Sequence, residues 1–329
     1  MLSRRGLLAT AALWPLPALV TGARAAAETI KVGVLPFGTV GWEAAVIKAR
    51  KLDEAHGFTL QTVKLAGNDA ARIAFQGGQV DTIVGDLIWA ARLNADGRPA
   101  KFAPYSTTEG ALMVPADSTI KGIDGLVGKR LGVAGGALDK NWILLKAQAR
   151  EKSDLDLEAK AQLAFGAPPL LMQKLESGEL DAALLYWQFC ARLEAKGFTK
   201  LVSADDIMRA FGAKGPVALI GYLFEAKTVQ AKADAVNGFV RASMAAKEVL
   251  ANEPGAWEIV RPLMAADDEA TFERLKRSFL DGIPRRPVKA EEADGERIYE
   301  TLVKLGGEQL VGVAKTLPPG LYLDASGNG

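Results

Sequence analysis

From Thr29 to Gly197 the chain repeats one pattern: a short apolar run, a break at glycine or proline, then apolar positions at helical spacing. Thr29 to Leu35 (TIKVGVL) alternates as a strand does, Pro36-Phe37-Gly38 breaks it, and Trp42, Ala45, Val46 and Ala49 share a helical face that ends at Gly57. Phe58 to Leu65 and Val80 to Val84 are the next strands. Gly67-Asn68-Asp69 and Gly85-Asp86 open the helices between and after them, and strand-like runs follow at Ala100 to Tyr105 and Ala111 to Val114. After Pro115 the series restarts. Arg130 to Ala134 reads as a strand, Gly135-Gly136 releases the backbone, and Asp139 caps a helix whose inner face is Trp142, Leu145 and Ala149. Ala161 to Phe165 and Leu180 to Leu185 are further strands, and Val217 to Phe224 is a last apolar run expected to return to the first sheet. Beyond Ala233 the period is helical only, and the Pro- and Gly-rich tail from Thr316 is expected to be loose.

Strands alternating with helices in this way predict an α/β fold of mostly parallel sheets covered on both faces. One local signature occurs twice. Gly77-Gly78-Gln79-Val80-Asp81 and Ser177-Gly178-Glu179-Leu180-Asp181 each close a helix and precede a strand, which argues for two similar lobes in 329 residues.

The first residues change the picture. Ser3-Arg4-Arg5, an apolar run from Gly6 to Val20 broken by Pro15 and Pro17, and Ala23-Arg24-Ala25 read as an export signal over residues 1–25. The paired arginines resemble a twin-arginine signal, with Leu7 where Phe is usual, and Sec export is the alternative. The expected location is the periplasm. Cys190 and His56 are the only residues of their kinds, which excludes an internal disulfide framework and cysteine or histidine metal clusters. The formal charge of +1 becomes −2 without Arg4, Arg5 and Arg24, so nothing points to nucleic acid.

The ordered segments TIKVGVLPFGTVGWEAAVIKA, GGQVDTIVGD, KGIDGLVGKRLGVAGGALDKNWILLKA and LMQKLESGELDAALLYWQFCARLEAKGF resemble the periplasmic substrate-binding proteins of nitrate, sulfonate and taurine ABC transporters, a superfamily that includes thiamine-pyrimidine-precursor proteins. The resemblance spans nearly all of the mature chain. It implies a type II periplasmic-binding fold of two lobes with a helical C-terminal extension, crossovers near Val114 and Val217, and closure on a ligand by hinge motion. Lobe 1 is then 26–114 plus 217–329, and lobe 2 is 115–216. A small-molecule ligand, a membrane permease with its ATPase and a monomeric state are implied, and no cofactor. The family's usual Trp-Glu-Pro is replaced by Tyr186-Trp187-Gln188. Related folds also host a cysteine-dependent desulfinase and a pyrimidine synthase that consumes its own histidine, so an enzyme is the alternative.

Ligands of open α/β sheets bind beyond the strands' carboxyl ends. That rule selects Phe37, Gly38, Thr39 and Trp42; Asn68 and Asp69; Gly85 and Asp86; and Glu109 on the first lobe. On the second it selects Gly135, Gly136, Asp139, Lys140 and Trp142, then Tyr186, Trp187 and Gln188. Core packing is the alternative for Trp142, and helix capping for Asp69, Asp86 and Asp139. Trp42 and Trp187 are expected on opposite walls. The selected loops hold no arginine and one lysine, so the expected ligand is neutral or cationic, with a ring or amine, in preference to taurine, an alkanesulfonate or nitrate.

Overall fold

The computed structural model describes residues 27–325, so the expected export signal lies outside the described residues. Ten strands form two five-stranded sheets. The first contains β1 (Glu28–Val34), β2 (Phe58–Lys64), β3 (Thr82–Asp86), β4 (Ala100–Ser106) and β10 (Ile220–Glu225), in the order β2-β1-β3-β10-β4. The second contains β5 (Gly110–Val114), β6 (Arg130–Ala134), β7 (Gln162–Gly166), β8 (Ala182–Tyr186) and β9 (Thr199–Ser203), in the order β7-β6-β8-β5-β9.

The two orders are equivalent. Each sheet has one strand that runs against its neighbours, in the fourth position: β10 pairs antiparallel with β3 and β4, and β5 with β8 and β9. Both of these strands follow a crossover, so each sheet receives its antiparallel strand from the half of the chain that has just left the other sheet. The sequence pattern predicts that Gly110–Val114 belongs to the first lobe, and strand pairing corrects this. The sheet change falls at Thr107 to Glu109, because an apolar run carries no information about which sheet it joins.

The repeated five-residue signature has a shared structural job. Gly78 and Gly178 take positive φ of 68° and 75°, and Val80 and Leu180 turn into the core. Asp81 then accepts from the Lys31 N–H of β1 and Asp181 from the Arg130 N–H of β6, each at 2.8 Å. A glycine ends the helix, and the carboxylate registers the next strand, the central one of its sheet, beside β1 or β6.

Helices cover both faces: α1 (Val40–Ala49), α2 (Leu52–Ala55), α3 (Asn68–Gln76) and α4 (Leu87–Ala95) on the first sheet. The second carries α5 (Lys140–Ser153), α6 (Leu157–Lys160), α7 (Pro168–Glu176), α8 (Trp187–Ala195) and α9 (Ala204–Ala210). The C-terminal part adds α10 (Ala226–Ala231), α11 (Ala233–Asn252), α12 (Trp257–Met264), α13 (Glu269–Asp281) and α14 (Val288–Val311), the last broken at Gly307. Alternation along β5 shows how the layers divide. Leu112 and Val114 face a core shared with α5 and α14, while Ala111 and Met113 face α7 and α8. The first of these cores continues from one sheet to the other, through α14 packed on α4 and α5.

The tail is not loose as the Pro and Gly content predicts. The Phe102 N–H donates to Leu321 O and the Leu323 N–H to Phe102 O, so the tail pairs along β4, and the Tyr322 ring meets Phe102 at 5.2 Å. The tail thus covers an otherwise open sheet edge.

Asp181 gives a pH prediction. Its hydrogen bonds to Arg130 hold the carboxyl at about 2, below the ordinary 3.8. A depressed acid contributes stability that is present above its unfolded pKa and is lost as pH falls through the folded one. Asp181→Asn is therefore expected to lower the midpoint of urea unfolding at pH 6, by a difference that shrinks as pH falls toward 2. An unchanged midpoint at pH 6 would refute the registering role.

Candidate functional site

The carboxyl ends of β1, β3, β6 and β8 converge on a cleft of about 510 Å³ between the sheets. The first lobe supplies Phe37, Gly38 and Thr39 from the turn after β1, Asn68, Asp69 and Arg72 from α3, and Gly85, Asp86, Trp89 and Arg92 around the start of α4. The second supplies Gly135, Leu138, Asp139 and Lys140 after β6, and Tyr186, Trp187 and Gln188 after β8. Glu109, on the first crossover, and Ile220, which opens β10 after the second, also line it.

Glu109 is the buried centre of the floor. Its Oε2 lies 3.1 Å from Lys140 Nζ, and its Oε1 accepts from the Leu219 N–H at 2.9 Å. The side chains are 1% and 11% exposed for Glu109 and Lys140. Burial pushes the Glu109 carboxyl up, and Lys140 and the Leu219 N–H offset part of that. For Lys140, burial opposes the charge, but Glu109, Asp139 and Asp86 together outweigh it and hold the ammonium well above its usual range.

Two acids cap helices, as the capping alternative expects. Asp86 Oδ1 accepts from the Trp89 N–H at 2.7 Å, while Oδ2 meets Arg72 at 3.3 Å. Asp139 Oδ1 accepts from the Asn141 and Trp142 N–H groups. Its Oδ2 and the Tyr186 hydroxyl crowd against Gly135, where a Cβ would lie 2.5 Å from one and 2.6 Å from the other. Gly135 at φ 83° is needed for that approach. The Tyr186 hydroxyl lines the cleft with no hydrogen-bond partner among the described residues. Asp69 is exposed at the start of α3 and makes no cap.

Three selected residues lie outside the cleft. Trp42 is 3% exposed in the core of the first lobe; it lines a neighbouring recess of about 240 Å³ and meets Trp187 edge to face at 6.1 Å. The two rings therefore touch across the lobes instead of forming opposite walls, because α1 turns position 42 inward. Trp142 is fully buried, with an Nε1 that finds no partner among the described residues, and Gly136 is not part of the lining.

The expectation of an arginine-free cleft is corrected. Arg72 lies one turn beyond Asn68 and Arg92 one turn beyond Ile88, so i,i+4 spacing on α3 and α4 returns both to the lining. The loop-by-loop reading stopped before the second turn of each helix. Arg72 sits 5.2 Å over the Trp89 ring, and Arg92 donates to Leu310 O at 3.4 Å. Cys190 is buried behind the cleft, where its thiol reaches Leu185 O at 3.3 Å, and burial pushes it up to about 12.

Lys140→Met leaves a buried carboxylate without its cation and is expected to cost roughly 3–5 kcal/mol, whereas adding Glu109→Gln restores most of the loss. Urea denaturation of the three proteins checks this. Equal stability of wild type and Lys140→Met would show that the pair is solvated.

No protein family's sequence model matches the chain, and no curated protein matches it. Solved structures do. The alkanesulfonate-binding protein SsuA from Xanthomonas axonopodis pv. citri, bound to MOPS, is 16% identical, with a TM-score of 0.67 over 91% of this chain and 99% of that one. The periplasmic aliphatic sulphonate binding protein SsuA from Escherichia coli is 15% identical, with a TM-score of 0.66 over 87% and 94%. The desulfurization enzyme DSZB is 16% identical, with a TM-score of 0.56 over 89% and 97%. At these identities the likeness is one of fold: this chain is similar to these proteins in its two-lobed α/β architecture.

Proposed function

We propose that this protein is the periplasmic solute-binding component of an ABC importer, taking a small organic molecule into the cleft and delivering it to a membrane permease with its ATPase. The observation that carries this reading is a cleft lined from both sheets, which two crossovers among the described residues join, and which sets aromatic faces beside charged and polar side chains. The likeness of fold to SsuA-type binding proteins and the export pattern of residues 1–25 support it. No helix among the described residues is long and apolar enough to cross a membrane. We take lobe 1 as residues 26–109 plus 220–329 and lobe 2 as 110–219, with a monomer that needs no cofactor. The binding residues are the cleft-lining members of the selected set, together with Arg72, Trp89 and Arg92.

The fold of DSZB keeps an enzyme in view. A nucleophilic cysteine needs an accessible thiolate, and Cys190 is 2% exposed with its thiol bonded to backbone carbonyls. His56 lies at the far end of α2 from the cleft. Catalysis by either residue finds no support in these positions.

Two outcomes are expected. A thermal-shift panel on refolded protein should reveal a stabilising solute. With that solute, Tyr186→Phe should weaken binding by roughly 0.5–1.5 kcal/mol while leaving the melting temperature of the unliganded protein unchanged. A variant that binds as tightly as wild type would take the hydroxyl out of the site. The mature chain should begin near Ala26, read by N-terminal sequencing of periplasmic protein; an intact residue 1 there would refute the export signal. If Arg4→Lys with Arg5→Lys leaves export untouched, the twin-arginine route falls and Sec remains.

A further inference from the structure

We propose that Glu109 sets the charge selectivity of the cleft: by engaging Lys140 in an internal ion pair, it denies that lysine to a ligand anion, so the floor accepts a neutral or cationic planar group and rejects carboxylates and sulfonates. The inference rests on reading the cleft as a solute site.

Glu109 lies on the first crossover and meets Lys140 at the start of α5, both line the cleft, and Glu109 is all but inaccessible. A ligand anion arriving there has to take Lys140 from a carboxylate that is already placed, desolvated and tethered through its other oxygen to the Leu219 N–H. Asp86 and Asp139 also act on the same ammonium. An anion at the floor would therefore face the carboxylates of Glu109 and Asp139, and that of Asp86 which Arg72 partly offsets, around one lysine in a nearly buried position.

The arginines do not reverse this balance. Arg72 is half exposed, is shared with Asp86 and lies over the Trp89 ring, so it belongs to the mouth. Arg92 is turned to the Leu310 carbonyl. What the floor does offer a ligand is the unpartnered Tyr186 hydroxyl beside Asp139 Oδ2, one group that donates and accepts next to one that only accepts. A neutral or positively charged group with N–H donors satisfies both. Trp187 and Tyr186 supply flat surface next to it.

Benzenesulfonamide and benzenesulfonate test the idea, because they share shape and differ in charge. Titration of each into wild type by ligand-detected NMR is expected to show tighter binding of the sulfonamide. Glu109→Gln keeps an oxygen for the Leu219 N–H, and it should raise affinity for the sulfonate by about tenfold or more and so shift the preference between the two probes toward the sulfonate. Glu109→Gln with Lys140→Met should lose that gain.

Three results would overturn the proposal: a wild type that prefers the sulfonate, a folded Glu109→Gln protein with no gain, or a gain that survives the loss of Lys140 and so belongs to Arg72 or Arg92. Each leaves the solute-site reading standing. Should Glu109→Gln fail to fold, the wild-type preference decides alone. Binding of neither probe to any variant at millimolar concentration removes the solute site itself, and this inference with it.

Discussion

The two sheets are joined by two short crossovers, and the carboxylate of Glu109 ties those crossovers together. It leaves the first at residue 109 and accepts the Leu219 N–H of the second, so one side chain fixes the separation of both links. The same residue's carbonyl accepts from the Trp187 N–H, at the start of α8, and its second oxygen meets Lys140, at the start of α5. Two helix starts and two crossovers thus converge on one residue. A buried ion pair adds little net stability compared with well-packed apolar groups, but it has few alternative geometries. Its contribution is the definition of one arrangement of the floor.

The C-terminal helices complete that constraint. The Thr107 N–H donates to Gly282 O, just past α13, and a Cβ at Gly282 would lie 2.6 Å from the hydroxyls of Ser106 and Thr108. The second crossover is held by α14: Glu291 accepts from the Ala218 N–H, Asp294 from the Lys214 N–H, and Arg286 donates to Pro216 O. Both crossovers are therefore gripped by residues 278–294, so the helical C-terminal extension is part of the structure that links the two sheets. On the outer side α8 is docked on the same extension. Arg192 donates to the Met264 and Ala265 carbonyls at the end of α12, Glu194 pairs with Arg274 through two bonds, and Trp187 packs on Phe279. Any opening of the cleft has to release these contacts. The Glu194–Arg274 pair is partly exposed and is worth about 1 kcal/mol or less by itself, so the docking rests on the sum of these contacts.

Most of the fold was legible because strand and helix periods differ and the glycine punctuation is regular. The twin signature was informative beyond its length because the same carboxylate-to-strand bond is needed in both sheets. What failed did so for physical reasons. An isolated apolar strand such as Gly110–Val114 shows no preference between two equivalent sheets, and a Pro- and Gly-rich tail shows no sign of the strand edge it will cover. In the site, turns were readable and helix faces were not: Trp42 and Trp142 lie near strand ends but rotate inward, whereas Arg72 and Arg92 lie a turn further on and rotate back. The pairing of Lys140 with Glu109 joins residues 31 positions apart and leaves no local trace.

The wall opposite the second lobe is stiffened by a network that the ligand need not touch. Thr39, at the cleft, shares a 2.6 Å hydrogen bond with the Tyr105 hydroxyl, and the Tyr105 ring lies 4.9 Å from the Lys247 ammonium. Lys247 pairs with Glu43 at 2.8 Å, and Glu43 also accepts from Tyr222 and Ser243. Burial pulls Lys247 down and Glu43 restores part of its charge. Every member of this chain is buried, so the cost of breaking one bond is the desolvation of its partner, and the network behaves as a unit. Thr39 hands its hydroxyl to Tyr105 instead of capping α1, which fixes the Phe37 to Thr39 turn from behind. With that turn held and the floor pinned at Glu109, the less constrained wall of the cleft is the one that the second lobe brings, where Tyr186 and Asp139 meet across Gly135.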